Sequence, residues 1–215
     1  MFINQNVDKI EHIFSNPIII DHRPEFLPEA DKASTPIINN IKKQYKKDKR
    51  PIPNSYHSNN MWNVPGYKNL TNYVLQKSFD IMTSWGYKTK GMIPMLSELW
   101  VQEFPKEGGF HDEHIHPNNH VSGFYFLRCS PKTSHPVFHD PRFTKRMTDL
   151  REEDKNKITQ ASQRIHFNVK PGDFLFFPSY MPHSYVHHKG EEIFRFVHFN
   201  MQLNLPPEPV VDPKK

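Results

Sequence analysis

One cysteine, Cys129, stands in 215 residues. A lone thiol excludes an internal disulfide framework and cysteine-based zinc sites, and it suits a reducing compartment. Long apolar runs are also missing. No stretch approaches the roughly 18 residues that a membrane span requires, and no charged-then-apolar leader opens the chain. A membrane protein is therefore excluded, and a cytoplasmic location is expected. Charge of one sign is weak: 28 cationic against 23 anionic residues give +5, which is no signature of a nucleic-acid binder. Glycine is low at 8, whereas proline is high at 20, about twice its usual share of roughly 5%. So many prolines argue against a mostly helical chain. Seventeen phenylalanines favour a packed β core, and the 14 histidines matter chiefly by where they fall.

The N-terminal half reads as an arm and helices. Residues 13–20 give a short β-prone run around Pro17. A helix is expected from Pro36, capped by Ser34 or Thr35, with Ile37, Ile38, Ile41 and Tyr45 at helical spacing. Its end carries Lys42, Lys43, Lys46, Lys47, Lys49 and Arg50, which read as a solvated helix end whose cations suit the C-terminal dipole. A phosphate-binding patch is the sharper alternative. A second helix is expected over 67–85, with Leu70, Tyr73, Val74, Ile81, Met82 and Trp85 on one face and Gly86 as its stop.

From about residue 93 the pattern turns to strands. Segments 95–104, 122–129, 165–169, 173–178 and 193–203 are short, rich in aromatic or β-branched residues, and separated by proline, glycine and polar turns. The polar stretch 140–164 reads as a long loop. Strands after two helices predict a β-sandwich or barrel with a helical layer on one face.

The chemistry lies in the histidines. The run His111-Asp112-Glu113-His114-Ile115-His116-Pro117 precedes an apolar strand. In extended chain, residues i and i+2 share a face, so His114 and His116 project together with Asp112, while His111 and Glu113 face the other way. Imidazole and carboxylate ligands suit iron, manganese, zinc and similar divalent ions. A second feature starts at the Lys170-Pro171-Gly172-Asp173 turn, runs through Phe174-Leu175-Phe176-Phe177, and reaches His183 between prolines and a new strand. Arg195 follows within the last strand. An arginine among aromatics is costly to bury without an anion, either a bound carboxylate or a core acid.

In this order, the motifs resemble a double-stranded β-helix dioxygenase. More narrowly, the chain resembles a bacterial and phage family of 2-oxoglutarate/Fe(II) oxygenases. The residues that carry the resemblance are His114-Ile115-His116-Pro117, Ser122-Gly123-Phe124-Tyr125, Phe138-His139-Asp140-Pro141-Arg142, Gly172 through Phe177-Pro178 to His183, and Arg195 to Asn200. The early strand at Pro17 and the segment around Trp62 extend it over nearly the whole chain.

The resemblance implies a mainly β fold, with a double-stranded β-helix (jelly-roll or cupin-like) core over 93–205, N-terminal arm and supporting helices over 1–92, and a tail over 206–215, in one domain. It implies Fe(II), 2-oxoglutarate as cosubstrate and O2, and a hydroxylase acting on an unidentified primary substrate. His114 and His183 match metal ligands, Arg195 the arginine that pairs with the far carboxylate of 2-oxoglutarate, and Tyr125 a tyrosine that helps hold it. Most such enzymes place Asp or Glu where this chain has His116. The ligand set is therefore His114, His116 and His183, or the acid comes from Asp112 or Asp140. Phe124, Phe126, Phe174 and Phe176 either wall the pocket or belong to ordinary core. Competing readings are a cupin-type three-histidine metalloenzyme that needs no 2-oxoglutarate and a non-catalytic binding protein on the same fold.

Overall fold

The computed structural model describes residues 14–106, 108–147 and 150–206. Within them the order is β1 (Ile19–His22), α1 (Leu27–Lys47), β2 (Tyr56–His57), α2 (Lys68–Ser84), β3 (Ile93–Phe104), β4 (His111–His114), β5 (Val121–Arg128), β6 (Pro136–His139), α3 (Phe143–Arg146), β7 (Arg164–His166), β8 (Asp173–Pro178), β9 (His183–Tyr185) and β10 (Phe194–Asn204). A short 3-10 turn precedes each of the two long helices.

The strands form a six-stranded sheet, β1-β8-β5-β10-β3-β2, and a four-stranded sheet, β4-β9-β6-β7, with every described pairing antiparallel. Alternation along the long strands feeds two cores. One face of the large sheet sends Leu99, Val101, Tyr125, Phe174, Phe176, Val197 and Phe199 against the helices. The other sends Phe104, Phe124, Phe126, Phe177, Phe194 and Phe196 against Phe138 and Tyr185 of the small sheet. The molecule is a double-stranded β-helix with a helical layer on its outer face. Strands buried on both faces read as unbroken apolar runs rather than as alternation.

Two glycines are required by geometry. Gly172 sits at φ 91° in the turn that launches β8, a conformation that L side chains rarely adopt. At Gly123 a Cβ would lie 2.2 Å from the Phe199 ring, so only glycine lets that ring cross β5.

The first helix departs from expectation. It starts at Leu27 rather than Pro36, with Pro28 in its first turn and Glu29 beside the positive end of the dipole. Pro36 lies inside the helix. Ser34 and Thr35 do not cap it: their hydroxyls donate to the carbonyls of Ala30 and Asp31, one turn back, at 2.6 and 2.8 Å. Ala30, Ser34 and Ile38 are its buried stripe. The second helix runs as expected to Ser84, with Gly86 at φ 86° just beyond. Among the described residues of the 140–164 stretch, the regular pieces are the single turn of α3 and Arg164, where β7 starts.

Between α1 and the large sheet lies a buried charge network. Arg195, 2% exposed, donates to Glu103 at 2.6 and 2.8 Å, to Asp31 at 3.0 Å and to the Thr35 hydroxyl at 2.8 Å. Arg128 holds Asp31 at 2.6 Å, and Lys42 pairs with Glu103. Part of the basic helix end thus serves to strap α1 to the sheet.

Candidate metal centre

The small sheet positions the histidines. In the β4–β9 pairing His114 lies directly opposite His183. His116 follows just past the end of β4, and its backbone N–H donates to Ser179 O at 2.9 Å, which pins the chain there against the end of β8. The three rings converge, with centroids 4.4 Å (His114–His183), 5.0 Å (His116–His183) and 5.1 Å (His114–His116) apart. One ligand nitrogen from each lies within 4.8 Å of the others.

Hydrogen bonds decide which nitrogens are free. His114 Nδ1 donates to Asp112 O at 2.7 Å and His183 Nδ1 donates to Met181 O at 2.9 Å. In each neutral ring the proton then sits on Nδ1 and Nε2 is the nitrogen left for the cluster, the outer-partner arrangement that fixes a ligating tautomer. His183 is completely buried. Burial, and then the neighbouring imidazoles, push its protonation well below the ordinary histidine range and that of His116 down to about 3. These two rings are neutral lone-pair donors at neutral pH, so protons do not compete for them.

The donor set fits a divalent transition metal. Three imidazoles suit iron, zinc, copper or nickel. Two nitrogens about 2.1 Å from one ion lie roughly 3.0–3.4 Å apart at octahedral to tetrahedral angles, and His116 Nε2 and His183 Nε2 are 3.2 Å apart. No carboxylate enters this cluster among the described residues. Asp112 is exposed, Glu113 lies 3.1 Å from His139 Nδ1, and Asp140 is engaged by Arg142 at 2.7 Å. Of the two ligand sets open from the sequence, the structure brings together the all-histidine one.

Two expectations are corrected by strand phase. His111 does not face away from His114. A register shift between them lets both rings turn the same way, 5.2 Å apart, with His111 against Phe104 and 3.0 Å from the Gln102 carboxamide. Burial lowers the His111 protonation to about 4. Arg195 and Tyr125 are not brought to the histidines. Along β10 the barrel-facing side chains are Phe194, Phe196, His198 and Asn200. Arg195 falls on the helix-facing phase with Val197 and Phe199, where Glu103 and Asp31 hold it. Tyr125 shares that face. Its ring stacks on Phe174 at 4.2 Å and its hydroxyl donates to Arg23 O at 2.7 Å. The core acid, not a bound carboxylate, is the anion that Arg195 meets. Phe124 walls the centre, 5.5 Å from the His183 ring, whereas Phe174 and Phe176 are helix-side core.

Sequence reasoning missed His198 and Trp100. His198 is buried with its ring 4.3 Å from that of His116, Trp100 packs tilted against it at 4.5 Å, and His57 packs tilted against Trp100 at 4.7 Å. The signal lay in β10: once Phe194 and Phe196 face the barrel, His198 and Asn200 must follow.

Residues 98–200 match a family model described as "Putative 2OG-Fe(II) oxygenase". No curated protein sequence matches the chain. Among solved structures, AviO1 from Streptomyces viridochromogenes Tue57 superposes with a TM-score of 0.61 at 9% identity, covering 90% of this chain and 93% of that one. At this identity the likeness establishes the fold. A Trichoplax adhaerens prolyl hydroxylase in complex with a hypoxia inducible factor peptide (0.48, 13% identity, 85% and 82% covered) and a Pseudomonas putida prolyl-4-hydroxylase (0.47, 11%, 86% and 92%) are more distant. The matched segment holds His114, His116, His183 and Asn200 and nearly all the barrel strands, and over it the chain is similar to the 2OG-Fe(II) oxygenases, oxidoreductases that depend on Fe(II), 2-oxoglutarate and O2.

Proposed function

We propose that His114, His116 and His183 hold the Fe(II) of this oxygenase, and that the protein hydroxylates a primary substrate while 2-oxoglutarate is decarboxylated to succinate. The observation that carries this reading is the convergence of three imidazoles, two with their ligating tautomer fixed by backbone carbonyls. When bound, the iron supplies the Lewis acidity and redox capacity for oxygen chemistry that no side chain has. The chain's own residues orient the ligands from both edges of the β4–β9 pair and keep bulk water from the buried side with Phe124, Phe177 and Phe138, whose rings lie 4.9–5.9 Å from that of His183.

The primary substrate is assigned to the cleft beside the centre, whose walls include Asn16, Phe138, Asp140, Arg142, Gln160 and Met181. Phe138 and Met181 line it and also touch His183, so an occupant would reach the metal past them. Among the described residues no helix is long and apolar enough to cross a membrane. The free Cys129 and a ferrous centre both suit the reducing cytoplasm of a bacterial or phage-infected cell.

Anaerobic titration with Fe(II) and 2-oxoglutarate, followed by a succinate assay once oxygen is admitted, tests the reading. Succinate formation that needs all three histidines supports it. Metal binding without 2-oxoglutarate binding or succinate favours the cupin-type reading, for which the all-imidazole donor set and the turned-away Arg195 speak.

A further inference from the structure

His114 and His183 each meet a backbone carbonyl at Nδ1, but His116 does not. Its Nδ1 lies 3.4 Å from the side-chain amide of Asn200. Asn200 is fully buried at the centre of a row that crosses three strands: Glu98 opposite it on β3 and Ser122 opposite it on β5. The register shifts immediately after Asn200, a local irregularity of the kind that re-aims a side chain.

The side chains of the row bond to one another. Asn200 Nδ2 donates to Glu98 Oε2 at 2.5 Å. Its Oδ1 accepts from the Ser122 hydroxyl at 2.6 Å and from His198 Nε2 at 3.1 Å. Ser122 in turn accepts from the Ser179 hydroxyl at 2.8 Å, and Ser179 O holds the His116 backbone. His116 is therefore held at its main chain and at its ring by one connected network. With Oδ1 taken by Ser122 and His198, the atom that meets His116 Nδ1 is Nδ2, a donor, which holds the metal-free ring with its proton on Nε2.

We infer that Asn200, anchored by Glu98, is a positioning residue that sets the ring of His116 as third ligand, in the place where most such oxygenases have a carboxylate. This rests on the three-histidine reading above. Outer partners of ligating histidines are worth about 10–100-fold in metal affinity, so a measurable loss is expected without any change in the ligands themselves.

The test uses Co(II) as the probe, with its dissociation constant and visible ligand-field bands as readouts. Asn200→Ala should weaken Co(II) binding by about 10–100-fold and shift the bands. Glu98→Ala, at a half-buried and more tolerant position, should shift the bands in the same direction with a smaller loss. The double exchange Glu98→Gln with Asn200→Asp reverses donor and acceptor across the pair and gives His116 Nδ1–H, the ligating tautomer, an acceptor, so it should bind Co(II) at least as tightly as the wild type. Melting curves of the metal-free variants identify any that do not fold, and Glu98→Ala then carries the decision. Alanine variants that bind Co(II) like the wild type with unchanged bands overturn the assignment of Asn200 and Glu98 alone. A wild type that binds no Co(II) overturns it together with the three-histidine reading.

Discussion

The two faces of the large sheet bury polar groups in opposite ways. On the helix side, Arg195, Glu103, Asp31, Arg128 and Lys42 answer one another. On the barrel side, His114, His116 and His183 turn nitrogens toward a common point with no acid among them. A network whose charges all find partners is structural, and one whose imidazole nitrogens converge with no acid or cation among them is poised for a ligand. Arg195 and His198 are three residues apart on one strand, yet they belong to these two different worlds because of side-chain phase alone.

The sharpest way to break the comparison is His183→Ala. It should lower metal affinity by more than the roughly 100-fold that outer partners account for and abolish succinate formation, as isothermal titration and the succinate assay would report. Binding within a few-fold of wild type would mean that the barrel side is no metal site. The converse change, Arg195→Met, takes away the cation shared by Glu103 and Asp31, leaving them only Lys42 and Arg128, and should cost about 3 kcal/mol of stability. Denaturant unfolding measures that loss, while the Co(II) constant of the folded variant stays unchanged. A specific rise in KM for 2-oxoglutarate at unaltered stability would instead return Arg195 to the cosubstrate.

Acid should distinguish the faces as well. Burial holds His111 at about 4, His116 at about 3, and His183 and His198 well below their ordinary range. The unfolded chain, titrating near 6.5, binds more protons below that pH than the folded one does. Stability therefore rises with pH, is complete above about 7, and is lost as pH falls from about 6.5 toward 3. The melting temperature of the metal-free protein should drop progressively across that window, and saturating metal should offset the drop. A flat profile would show the histidines to be solvated. The smallest effect is reserved for Tyr125→Phe, which removes the hydroxyl bond to Arg23 O and should cost about 1 kcal/mol without altering KM for 2-oxoglutarate.

Much of this was legible beforehand because it depends on local signals. Prolines and glycines mark the strand ends from residue 93 onward, the Pro171-Gly172 turn launches β8 as read, and the i, i+2 spacing of His114 and His116 survives the fold. What was not legible depends on partners distant in sequence. The register shift that turns His111 inward exists only against Tyr185 and His183. The phase of β10, which sends Arg195 to the helices, follows from pairing with β3 and β5 and from Glu103 and Asp31 waiting on the helix side. Pro36 read as a helix start because a proline at a first helical position and one tolerated inside a packed helix look alike until the stripe of Ala30, Ser34 and Ile38 is seen to run through it.

The central claim is that three imidazoles, and no carboxylate, seize one ion. Crystals loaded anaerobically with Fe(II) and measured at the iron absorption edge test it most directly. One anomalous peak bonded to Nε2 of His114, His116 and His183 is the predicted result. A peak elsewhere, or one coordinated by Asp112 or Asp140 in place of His116, would contradict the account.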